Sequence, residues 1–85
     1  MEKRIGVVGI VIENKDNVQR LNGILSEFSD IIVGRMGIPY EQKGFSVISL
    51  IVDGTTDDIG ALTGKIGSLH GITVKTAVSK ITTQQ

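Results

Sequence analysis

Cysteine and tryptophan are missing from this 85-residue sequence, and proline, histidine and tyrosine occur once each. Each shortage excludes something. Without cysteine there is no disulfide framework and no thiolate nucleophile. With one histidine and no thiolate, a zinc site lacks its usual donors, and no metal or other cofactor is expected. Charge of one sign is also in short supply: nine basic side chains balance nine acidic ones. Nucleic-acid binders carry a basic excess to neutralise phosphates, so no direct contact with DNA or RNA is expected. Long apolar runs are absent too. The run over residues 5–12 falls far short of the ~20 residues a membrane helix needs. Met1-Glu2-Lys3-Arg4 does not read as a secretory leader. The expectation is a cytoplasmic protein that makes no membrane contact.

The length fits one domain spanning residues 1–85. Domains of this size bury only about 60% of their unfolded surface, and many recruit disulfides, metals or partner chains. The first two are excluded here, which leaves a partner chain as the source of extra buried surface.

Residues 4–13 are β-branched and almost continuously apolar, the pattern of a strand covered on both faces. Asn14 and Asp16 offer helix N-caps. Val18, Leu21, Ile24, Leu25 and Phe28 then recur at helical spacing. Residues 31–38 form a second strand, whose glycines, Arg35 and following Pro39 suit a sheet edge. After the polar connection 40–44, residues 45–53 make a third strand apolar on both faces. Thr55 and Asp58 have capping-box spacing, and Asp57 and Asp58 complement a helix N-terminal dipole. Ile59, Leu62, Ile66 and Leu69 make the inner stripe of this second helix, and Gly71 is a candidate left-handed C-cap. Gly60, Gly64, Gly67 and Gly71 read as an outward stripe that would let another chain approach closely, a possible second interface. Residues 72–79 alternate and carry lysine, as an edge strand does.

The order β-α-β-β-α-β specifies an α+β ferredoxin-like sandwich, a four-stranded antiparallel sheet with both helices on one face. Strands one and three take the centre. Both carry aliphatic side chains on both faces, so whichever face the helices cover, an apolar face remains. A second copy of the chain is the simplest cover, with two-fold symmetry the default. Val8, Ile10, Ile48, Leu50 and Val52 are the candidate interface residues for a dimer or tetramer.

Enzyme signatures fail in turn. Ser46, Ser49 and Ser68 lack a supporting histidine and carboxylate arrangement. Gly6-Val7-Val8-Gly9 lies within a strand, not at a phosphate-cradling turn. Glu13 and Asp53 end at opposite poles, because their strands run antiparallel, and cannot pair as acid and base. One pole does gather polar chemistry. Glu13 and Asn14 close the first strand, Tyr40 lies in the loop between strands two and three, and His70 ends the second helix. These four are the candidate ligand-binding residues for a small polar effector. Ordinary loop and helix-end roles explain them as well.

Residues 4–11 (RIGVVGIV), 32–39 (IVGRMGIP) and 71–80 (GITVKTAVSK) resemble the small ACT-like proteins related to the regulatory domain of the nickel-responsive repressor. More narrowly, they resemble the short family named for regulation of iron-only hydrogenase systems. The resemblance implies an ACT-like fold, homo-oligomers and a ligand-sensing regulatory role. The repressor domain binds metal through histidines and a cysteine, which this sequence does not supply. The expectation is a non-catalytic regulatory module that acts as a homo-oligomer, with a small-molecule effector and a protein partner. A ligand-free assembly protein is the alternative, and a small dimeric ferredoxin-like enzyme a more remote one.

Overall fold

The computed structural model describes residues 2–83. Four strands and two helices alternate as β1 (Lys3–Ile12), α1 (Val18–Glu27), β2 (Ile32–Tyr40), β3 (Phe45–Gly54), α2 (Thr56–Gly67) and β4 (Ile72–Thr83). The sheet order is β2-β3-β1-β4, with every neighbouring pair antiparallel. The two most apolar strands hold the centre. The strand carrying Pro39 and the strand carrying Lys75 and Lys80 lie at the edges, as their composition requires.

Even-numbered residues of β1 and β3 point to the helices. Val8, Ile10, Leu50 and Val52 are fully buried there with Leu21, Leu25, Ile59, Leu62 and Ile66 of the two helices. The interface expected at Val8, Ile10, Ile48, Leu50 and Val52 is therefore corrected: these five side chains are core. The physical reason lies in the connections. β1-α1-β2 and β3-α2-β4 are crossovers between parallel strands, and their right-handedness decides which sheet face receives the helices. Two aliphatic faces on one strand look alike in sequence, so patterning alone cannot choose between them.

The helix starts differ in quality. Thr55 caps α2 as its spacing predicts, its Oγ1 accepting the backbone N–H of Asp58 at 3.0 Å. Neither Asn14 nor Asp16 caps α1. The N-cap position falls to Asn17, whose side chain makes no capping bond and donates instead to the carbonyl of His70 at 3.0 Å. Asn14 Oδ1 accepts from the Asp16 N–H at 3.1 Å, a local turn that competes with capping.

Gly71 holds φ near 81°, a left-handed conformation costly for any residue with a side chain. It lies in the turn into β4, beyond the end of α2, so it is not the helix C-cap. Its carbonyl accepts the N–H of Glu13 at 2.7 Å and ties the β1–α1 loop to the α2–β4 turn. The glycine stripe of α2 is also revised. A Cβ at Gly60 or Gly64 would meet nothing within 4 Å, but at Gly67 it would lie 3.3 Å from Val74 of β4. Gly67 serves close packing of helix on sheet. Across the outer helix surface, Lys65 bridges to Glu27 at 2.7 Å and sits 5.5 Å from the Phe28 ring centroid. Exposed pairs of this kind contribute roughly 0–1 kcal/mol, so the shared apolar core holds the helices to the sheet.

Candidate functional site

Two places carry features beyond folding: the sheet face opposite the helices, and one pole.

The open face is built by register. Ile38 lies beside Val47, which lies beside Val11 and then Thr73. The next row is Met36, Ser49, Gly9 and Lys75, and the one after it Gly34, Ile51, Val7 and Ala77. Tyr40 and Phe45 close one end, Ile5 and Asp53 the other. The side chains are aliphatic, small or aromatic, apart from Lys75 and Asp53, and Asp53 Oδ1 accepts from the Thr83 hydroxyl at 2.6 Å. Exposure reaches 43% at Val7, 40% at Ile51, 56% at Ile38, 66% at Met36 and 44% at Tyr40. Four strands about 4.8 Å apart and eight residues of rise give a face of about 500 Å². The apolar side chains make up part of that footprint, and the largest apolar patch on a typical monomer is roughly 300–600 Å².

At the pole, the four expected residues divide into two groups. Glu13, Asn14 and His70 cluster where the β1–α1 loop meets the α2–β4 turn. His70 takes part through its backbone carbonyl, which accepts from Asn17, and the hydrogen bonds of Glu13 and Asn14 to Gly71 are backbone ones. Tyr40 ends β2 at the opposite sheet edge, its ring edge-on to Phe45 with centroids 5.9 Å apart. Three strand spacings, about 14 Å, separate the β2 edge from the β4 edge. One small ligand does not span that distance, so Tyr40 and His70 share a pole but not a pocket.

Sequence reasoning missed what lies between the groups. A groove of about 340 Å³ runs beneath the first turn of α1, with Ile12, Val18, Ile38 and Ile48 among its apolar walls and Lys15, Pro39 and Ser46 also lining it. A smaller hollow of about 140 Å³ continues it past Lys15, Pro39 and Ser46 to Glu41 and Gly44. The available signal was register: Ser46 pairs with both Ile12 and Pro39, so it joins the middle of the pole to the edge. Among the described residues no three His, Cys, Asp or Glu side chains gather as a metal ion would need. Among the same residues no helix is long and apolar enough to cross a membrane.

A four-stranded antiparallel sheet in this order, with two helices on one face, defines a ferredoxin-like α+β domain. Its family follows from comparison. Residues 4–76 match the model of the TM1266-like family, described as "Iron-only hydrogenase system regulator, putative". The chain belongs to that family. It is 38% identical to TM1266 of Thermotoga maritima, whose solved structure superposes with a TM-score of 0.87 over 93% of this chain and 100% of that one. More distant likenesses show the fold alone. The nitrogen regulatory PII-like protein CPII of Thiomonas intermedia K12 is 14% identical, with a TM-score of 0.56 over 96% of this chain and 92% of that one. A formyltetrahydrofolate deformylase of Pseudomonas syringae is 10% identical, with a TM-score of 0.64 over 95% of this chain and 29% of that one. No curated protein matches the chain.

Proposed function

We propose that the chain is a non-catalytic regulatory module that assembles with copies of itself through the open sheet face, takes a small-molecule effector at the pole and acts on a partner protein. The observation that carries the assembly is the side-by-side exposure of Val7, Ile51, Ile38 and Met36 on the face away from the helices. Burying a fully exposed side chain of this kind is worth roughly 1.5–3 kcal/mol, and these, already about half covered, would return about half of that each. Two faces of about 500 Å² bury about 1,000 Å² in all, near the lower bound for a specific interface. A dimer on this face alone is thus a modest one, and a further contact would be needed to make it obligate. The family description supports a regulatory role within an iron-only hydrogenase system.

In this reading the effector site is the groove beside Lys15; Tyr40 lies toward one sheet edge from it, and Glu13, Asn14 and His70 lie at the β1–α1 loop and the α2–β4 turn on its other side. The groove is apolar with one amine and one hydroxyl, a lining that suits a small amphipathic molecule. A native mass spectrum of gently purified protein tests both parts. An oligomer carrying extra mass supports the module, and the mass identifies the effector. A monomer without extra mass at every concentration tried sinks the proposal.

One observation favours the ligand-free assembly reading. The Tyr40 ring already has a partner in Phe45, so it is not waiting for one. In that reading Tyr40→Ala and His70→Ala alter stability and nothing else. In the effector reading Lys15→Ala, at the groove itself, lowers the amount of bound mass.

A further inference from the structure

We propose that a second groove, between the C-terminal half of α1 and the start of β2, binds the phosphate of a small phosphomonoester, held by Arg35 with the hydroxyls of Ser26 and Ser29. The groove holds about 340 Å³ and is lined by these three residues together with Leu25, Ile32 and the backbone bulge at Val33-Gly34. This lies near the lower end of the roughly 300–1,000 Å³ of small-molecule sites.

Register explains how a cation comes to stand there. Arg35 pairs with Leu50, a core residue, so its side chain leaves the sheet on the helix side. On a central strand that position would bury an unpaired charge. At the edge the side chain reaches the groove. Among the described residues the Arg35 guanidinium forms no ion pair, and the Ser26 and Ser29 hydroxyls form no hydrogen bond. No carboxylate lines the groove, and Glu27 is turned away to Lys65. A planar guanidinium fork with two hydroxyl donors off its plane suits the three non-coplanar, more highly charged oxygens of a phosphate ester better than the two coplanar oxygens of a carboxylate. Leu25 and Ile32 supply an apolar floor for the organic part.

One effect opposes the site: a helix C-terminus disfavours anions. Here the carbonyls of the turn are already engaged. Ser26 accepts from the Ser29 N–H at 3.2 Å, and Ser29 from the Ile32 N–H at 3.3 Å. The rival account of Arg35 is edge protection, in which an inward-pointing charge merely blocks strand addition. It requires no ligand.

The test is an amide-shift titration of the full chain with phenyl phosphate, and in parallel with phenylacetate, whatever the oligomeric state. The expected result is saturable shifts at Ser26, Ser29, Gly34 and Arg35 that weaken with added salt. Affinity should fall about tenfold in Arg35→Gln and recover in part in Arg35→Lys. Ser26→Ala combined with Ser29→Ala should weaken phenyl phosphate more than phenylacetate. Unsaturable binding, equal affinity in Arg35→Gln, tighter binding of phenylacetate, or shifts confined to Lys15 and Glu41 at the pole would each overturn the assignment.

Discussion

Gly71 concentrates more constraint than any other described glycine. A Cβ there would lie 2.6 Å from Asn14 Nδ2, and φ stays positive. Gly71→Ala should therefore cost about 1–3 kcal/mol, the left-handed penalty plus displacement of the Asn14 side chain from its bond with the Asp16 N–H. Chemical denaturation measures it, and an unchanged midpoint would mean that this latch contributes nothing. Thr55 is the second such residue, buried and capping α2. Thr55→Ala should lose about 1–2 kcal/mol, whereas Thr55→Ser, which keeps the hydroxyl, should lose less. The two positions were not equally legible. Thr55 and Asp58 announce a cap by spacing alone. Gly71 reads as a turn glycine, but its long-range role depends on the loop at Glu13, which no local pattern reveals.

Among the elements, α2 and α1 differ in how fully sequence specifies them. The start of α2 follows from local chemistry, and Ile59, Leu62 and Ile66 of its inner stripe are buried as periodicity predicts, whereas Leu69, the fourth expected member, falls past the helix end at Gly67 and is half-buried against the core. The first turn of α1 has no acidic residue and no side-chain cap, so its start is set by tertiary bonds, among them Asn17 to His70. Capping rules alone place that start too early for this reason. The open surroundings of Gly60 and Gly64 give a further expectation. Alanine at both should raise stability by about 1–2 kcal/mol, because each interior glycine costs roughly 0.8–1 kcal/mol relative to alanine. Thermal unfolding of the double variant checks it. A loss of stability together with dissociation would instead mean that another chain packs against this helix face.

For the molecule as a whole, topology was legible and facing was not. The order of apolar and polar segments places β1 and β3 at the centre. That both of their faces are apolar also predicts a second covered surface. Which face that is depends on crossover handedness, a property of connections and not of residues, so patterning alone puts Val8, Ile10, Ile48, Leu50 and Val52 on the open face when they belong to the core. The pole was legible as a gathering of loop ends, but strand order puts Tyr40 at the β2 edge and His70 beside the β4 edge, with about 14 Å between the two edges. The two faces should answer mutation in opposite ways. Leu50→Ala, on the helix side, should cost about 2–5 kcal/mol by opening a core cavity. Ile51→Asp, one residue on, points away from the core and should leave the folded domain intact. Sedimentation equilibrium of the unmodified chain beside Ile51→Asp tests the central claim most directly. The account predicts a dimer or larger assembly for the first and a folded monomer for the second; a monomeric unmodified chain, or an Ile51→Asp variant that associates just as strongly, would contradict it.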